Sequence, residues 1–135
     1  MNPPAQSAAI IGTGLIGRAW AHVFARAGWS VTMWDPDAAQ REAAVALVTQ
    51  SLHDLAAFGL VPDVAAAAQC LRVAPTLAEA VREASYVQES GPELQSVKAQ
   101  VFAEMDAAAP ADAVLASSTS AIVASRFTHS LEGRA

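Results

Sequence analysis

Ala8-Ala-Ile-Ile-Gly12-Thr-Gly14-Leu-Ile-Gly17-Arg-Ala-Trp20 is the stretch on which the fold turns. It reads as a short apolar strand that runs into Gly-x-Gly-x-x-Gly and then into a helix. Three glycines at this spacing are a weak signal alone; a strand before them and an amphipathic helix after them make it specific. In that setting Gly12 makes the tight turn, Gly14 lets a pyrophosphate approach the backbone, and Gly17 lets the helix lie against the strand. Thr13, Leu15 and Ile16 belong to the same candidate phosphate-binding loop. The helix N-terminus adds free N–H groups and the positive end of its dipole.

Working outward, Leu15 to Ala27 carries Trp20, Val23, Phe24 and Ala27 at helical spacing, which predicts that they face the core, and Gly28 is a natural stop. Ser30 to Trp34 reads as a second strand, broken by Asp35-Pro36-Asp37. Pro36 suits the first turn of the next helix and Asp37 its N-terminus. Asp35 lies some twenty residues past Gly14, where an acid accepts hydrogen bonds from the adenine ribose hydroxyls. A carboxylate there repels a 2′-phosphate, and Arg41 stands a turn or more into the helix, so NAD is favoured over NADP. These residues alone leave FAD open, and the plain alternative is a turn with a capping Asp and no nucleotide.

Beyond this point strands and helices keep alternating. A helix is predicted from Asp37 to Phe58, with Ala44, Leu47, Val48, Leu52 and Leu55 inward and Gly59 ending it. Leu60 to Cys70 reads as a loop with a short helix, Leu71 to Ala74 as a third strand, and Thr76 to Glu79 as a capping box. Ser85 to Glu89 is a fourth strand and Gly91-Pro92 a turn. Leu94 to Ala109 is a helix with Val97, Val101, Phe102 and Met105 facing a core. Ala113 to Ala116 is a fifth strand, Ser117 to Ser120 sits at its carboxyl end, and Ile122 to Phe127 is a last short helix. Such alternation predicts an α/β fold: a Rossmann-type, doubly wound, mostly parallel sheet binding ligands at the carboxyl ends of its strands.

Composition narrows the partners. The chain has 135 residues, enough for one domain, and 33 of its many apolar residues are Ala, which suits helices packed closely on a sheet. A net charge of −5 with 8 Lys+Arg argues against nucleic acid or an anionic membrane. Cys70 stands alone, which excludes a disulfide framework and a Cys-rich metal site, and no metal ligands are assigned. The N-terminus lacks a signal-peptide pattern, and the apolar runs are far below the roughly 20 residues of a membrane span. A cytoplasmic protein with a small-molecule substrate is the expectation.

Ile10-Ile-Gly-Thr-Gly-Leu-Ile-Gly-Arg-Ala-Trp20, Val87-Gln-Glu-Ser-Gly-Pro-Glu93 and Ala116-Ser-Ser-Thr-Ser120 together resemble the NAD-binding domain of the L-3-hydroxyacyl-CoA dehydrogenase family. The Gly-Leu-Ile-Gly-Arg-x-Trp loop and the Ser-Ser-Thr-Ser turn are most similar to its L-gulonate 3-dehydrogenase (lambda-crystallin) branch, with carnitine dehydrogenases also similar. The resemblance implies that Asp35 binds ribose, that Glu93 and Lys98 contact NAD near its nicotinamide side, and that Ser120 hydrogen-bonds the reacting oxygen of the substrate. It also implies a general-base His in a His-Pro-x-Asn-Pro stretch and a helical second domain through which the family dimerises. Neither is found in this chain, which is expected to stop before the last strands of the sheet. His22, His53 and His129 lack that motif.

The residues read alone favour blander roles for some positions. Glu93 and Lys98 fall five apart on one predicted helix, whose ordinary fate is a solvated face. Ser117 and Ser118 read as turn residues, Trp20 and Trp34 as packing, and Cys70 as a small core residue. The leading expectation is an NAD-dependent dehydrogenase domain for a 3-hydroxy acid or acyl-CoA, inactive as 135 residues alone. The alternatives are a non-catalytic NAD-binding or crystallin-like protein, and another Rossmann enzyme of the 3-hydroxyisobutyrate type.

Overall fold

In the computed structural model, which describes residues 6–133, strands and helices alternate as the sequence predicts. Strands β1 (Ser7–Ile11), β2 (Ser30–Trp34), β3 (Leu71–Val73), β4 (Tyr86–Glu89) and β5 (Val114–Ser117) form one sheet in the order β3-β2-β1-β4-β5. All its pairings are parallel, with Ile11 beside both Trp34 and Glu89, and Glu89 beside Ser117. The chain winds from β1 out to β3 and then returns to place β4 on the other side of β1. A crevice opens at the carboxyl ends of the strands where the order reverses.

Successive strand residues point to opposite faces, so each face has its own core. Ile10, Val31 and Met33 meet Ala21 and Ala25 of α1 (Leu15–Arg26), Val48 and Leu52 of α2 (Ala38–Ala56), and Ala67 of α3 (Val64–Gln69). On the other face Ile11 and Val87 meet Val81 of α4 (Leu77–Val81), Phe102 and Met105 of α5 (Gln95–Ala108), and Phe127 of α6 (Ser125–Thr128). Helices cover both faces, so the fold is doubly wound. Side chains start the short helices: Asp63 accepts from Ala66 N–H and Thr76 from Glu79 N–H. Among the described residues no helix is long and apolar enough to cross a membrane.

The predicted apolar face of α1 is corrected. Gly17, Ala21 and Ala25 face the sheet, while Trp20 and Val23 are exposed and Phe24 is half-buried. Clearance is the reason: a Cβ on Gly17 would run into the Gly12 carbonyl oxygen, so only small side chains fit beneath the helix. The bulky stripe turns sideways instead, where Phe24 meets Trp29 and Tyr86 at ring-centroid distances of 5.0 and 5.3 Å. Trp34 does pack against a core, whereas Leu47 on α2 is exposed.

Smaller differences follow from caps and ends. Pro36 precedes the helix, because Asp37 is the cap that accepts from Ala39 and Gln40 N–H. Strand β5 lies one residue later than predicted and takes in Ser117, and α6 begins at Ser125 instead of Ile122. Cys70 caps the end of α3 and is half-buried beside the core.

Candidate functional site

The glycine loop is built from backbone geometry. Gly12 has φ +100°, which favours glycine, and a Cβ there would press on the Ser90 carbonyl. Its N–H donates to the Trp34 carbonyl at 2.8 Å, tying the end of β1 to the end of β2. Asp35 is buried, and its Oδ2 accepts from the Thr13 N–H at 2.8 Å and the Thr13 hydroxyl at 3.2 Å. Oδ1 accepts from the Asp37 N–H at 2.9 Å. One carboxylate thus ties the glycine loop to the turn that leads into α2.

These residues fit a dinucleotide. A Cβ on Gly14 would meet nothing within 4 Å, and no side chain caps α1, so the helix N-terminus opens on free space. A cleft of about 350 Å³ there is lined by Gly12, Gly14, Asp35, Gln40 and Gly91. A smaller cavity of about 200 Å³ beside it is walled by Trp34, Val97 and Val101. Asp35 Oδ1 has one donor, the Asp37 N–H, and a lone pair to spare. Arg41, set aside from sequence as too far along its helix, folds back so that its guanidinium donates to the Asp35 carbonyl at 2.7 Å. Arg18 donates in the same way to the Thr13 carbonyl at 3.0 Å.

A second cluster joins β4, α5 and the turn after β5. Lys98 and Glu89 are each about 1% exposed, and the ammonium meets Glu89 Oε1 at 3.0 Å and Oε2 at 2.9 Å. Its third contact is Glu93 Oε1 at 3.3 Å. The expectation of a solvated helix face is therefore overturned for Lys98, while Glu93 is exposed but does not lie on the helix. Glu93 lies ahead of α5, and Lys98 takes the inward position one turn before Phe102. Glu89 also accepts from the Gly91 N–H at 2.7 Å and the Ser117 hydroxyl at 2.5 Å. Sequence reading placed Glu89 in a region of interest but assigned it no role. A lone carboxylate ending an apolar strand, with an inward-spaced lysine on the next helix, was the available signal.

The serine turn is more than a polar loop. Ser117 reaches Glu89, while Ser118 lies 2.8 Å from both Gln88 Nε2 and the Ser90 hydroxyl, so neither is a simple turn residue. The Tyr86 hydroxyl donates to Gln88 Oε1 at 2.6 Å, and burial raises its phenol above the ordinary value. Glu93 Oε2 accepts from the Ala121 N–H at 3.1 Å, the Thr119 hydroxyl at 3.2 Å and the Ser120 N–H at 3.4 Å. Partial desolvation pushes the Glu93 carboxyl up, but these donors and Lys98 outweigh it and hold it below its usual value. Ser120 itself is exposed. His22 sits on α1, lowered by burial and then by Arg26; His53 sits on α2 and His129 caps α6.

A parallel sheet with this loop, an acid at the end of β2 and a crevice at the reversal point has the form of a dinucleotide-binding domain. Residues 7–135 match the family model described as 3-hydroxyacyl-CoA dehydrogenase, NAD binding domain. An L-carnitine dehydrogenase of Streptomyces griseus is 45% identical over 115 residues, covering 83% of this chain and 33% of its own length. A lambda-crystallin homolog of Rattus norvegicus is 34% identical over 129 residues, covering 93% of this chain and 40% of its own. The structure of FadB2 from M. tuberculosis superposes with a TM-score of 0.86 at 29% identity, covering 98% of this chain and 47% of that one. The chain belongs to the 3-hydroxyacyl-CoA dehydrogenase family, as its NAD-binding domain. It spans between a third and two fifths of the length of these curated relatives.

Proposed function

We propose that this domain serves an oxidoreductase acting on the 3-hydroxyl of a small acid or an acyl-CoA, with Ser120 hydrogen-bonding the reacting oxygen. Bound NAD supplies the hydride acceptor. Residues Gly12 to Gly17 receive the pyrophosphate, Asp35 the adenine ribose, and Glu93 the nicotinamide end. Lys98 acts there through Glu93, since its three contacts are already carboxylate oxygens. The observation that carries the reading is the exposed Ser120 on a turn anchored to Glu93 at the carboxyl ends of the strands.

On this reading a general-base His, a helical substrate domain and a homodimer interface lie outside residues 1–135, and the setting is the cytoplasm. Ser120 is a poor base near neutral pH, and among the described residues no histidine is hydrogen-bonded to residues 117–120. The chain is therefore expected to bind NAD yet form NADH roughly 10²–10⁴-fold more slowly than a form that supplies the base. Absorbance of NADH is followed with L-carnitine, L-gulonate and L-3-hydroxybutyryl-CoA, on this chain and on a longer form. Fast turnover by residues 1–135 overturns the assignment, and His129 is then the first residue to replace. A second reading rests on the lambda-crystallin homolog: an NAD-binding protein with no turnover, for which both forms stay silent.

Asp35 supplies a separate check. Asp35→Ala is expected to weaken NAD binding by about 1.5–3 kcal/mol, the range for hydrogen bonds to a charged group, with NAD preferred to NADP in the parent. Asp35→Asn removes the charge and keeps an oxygen for Thr13, but its NH2 then faces the Asp37 N–H, so melting curves accompany the titration. Calorimetric titration with both nucleotides decides it. Equal affinity for NADP would remove Asp35 from the ribose site.

A further inference from the structure

The turn from Ser117 to Ile122 hangs on two carboxylates bridged by one ammonium. The buried anchor is Glu89, which accepts from Ser117; the Ser117 hydroxyl in turn accepts from the Thr119 N–H at 3.1 Å. The outer anchor is Glu93, whose side chain is 39% exposed and whose Oε2 takes the Ser120 and Ala121 N–H groups. Lys98 spans both, meeting Glu89 on one side and Glu93 Oε1 at 3.3 Å on the other. The Thr119 hydroxyl has one proton to give, to Glu93 or to the Ile122 carbonyl at 3.0 Å, while it accepts from the Ile122 N–H. The outer anchor thus rests mainly on the two backbone N–H groups.

Glu89 is about 1% exposed and already holds three donors, whereas Glu93 is exposed. Its Oε1 has a single contact, the Lys98 ammonium, and so keeps a lone pair for a ligand. We propose that Glu93 is a positioning residue that couples cofactor to substrate: NAD held against Oε1 fixes the carboxylate whose Oε2 holds the Ser120 turn. This rests on the reading that Glu93 faces the nicotinamide end of NAD. NAD then tightens a turn that these hydrogen bonds already hold, and a substrate that arrives afterwards meets a more firmly placed serine. NAD and substrate then bind cooperatively.

Amide exchange of Ser120 and Ala121 is the readout, measured on the parent chain, Glu93→Gln and Glu93→Ala, each with and without NAD. In the parent, NAD slows both amides. In the variants both exchange roughly tenfold faster or more, and NAD no longer slows them. Melting curves run alongside are expected to be near the parent, because Glu93 is exposed, and a purely structural role would not produce the NAD response. If calorimetry shows NAD bound to the parent while the two amides stay unchanged, the coupling is wrong and the NAD site stands. Exchange unaltered in both variants removes Glu93 as the anchor. Absence of NAD binding to the parent overturns both the coupling and the site.

Discussion

Replacing Lys98 with methionine is expected to destabilise the domain by about 3–5 kcal/mol, the cost of leaving a buried charge without its partner. Glu89 is about 1% exposed, so its charge is left with little solvent to offset the lost ammonium. Gly91 N–H and the Ser117 hydroxyl still donate to its carboxylate, but neither carries charge. Glu93 loses the same contact and adds a second negative group nearby. The double variant Glu89→Leu/Lys98→Met is expected to recover much of the loss, since an apolar pair of similar volume is often no worse than a buried ion pair. Urea denaturation of the parent and the two variants measures this. A loss below about 1 kcal/mol in Lys98→Met would mean that the ammonium is solvated and the cluster is peripheral.

Gly14→Val is expected to abolish NAD binding and leave the fold intact. The residue has φ −68° and ψ −168°, extended backbone that a β-branched side chain adopts readily. A Cβ meets nothing within 4 Å, so the free protein accommodates it. The space it fills is where the pyrophosphate must approach the helix N-terminus. Gly17→Ala is the contrast: its Cβ would strike the Gly12 carbonyl, forcing α1 off the sheet at about 1–3 kcal/mol. Melting curves and NAD titration on the same samples separate the two effects. Normal binding by Gly14→Val would make the loop an ordinary turn.

Most of the architecture was legible in the chain. Apolar runs of strand length, the glycine spacing and the caps at Asp37 and Thr76 depend on neighbours in sequence, and each element appears within a few residues of its predicted place. The parallel sheet follows from alternation alone, because parallel strands need a crossover between them. Asp35 and the glycine loop were likewise visible, since their meaning comes from one continuous strand-turn-helix unit. The serine turn and the pair Glu93 and Lys98 were visible through resemblance and not through spacing.

Contacts between distant segments were a different matter. Periodicity shows that α1 has a bulky stripe but not which side meets the sheet, and the close approach at Gly17 turned that stripe outward. Lys98 counts as a surface residue by type; only a carboxylate at the end of β4, nine positions earlier, makes its burial tolerable. Arg41 comes back to Asp35 because the first turn of α2 folds over the end of β2. The sequence by itself determined the fold class, the glycine loop and its acid, because these are local patterns of apolarity and backbone freedom. Tertiary structure decided which charges are buried together and which carboxylate holds the serine turn, because those energies arise only when β4, α5 and β5 are packed side by side.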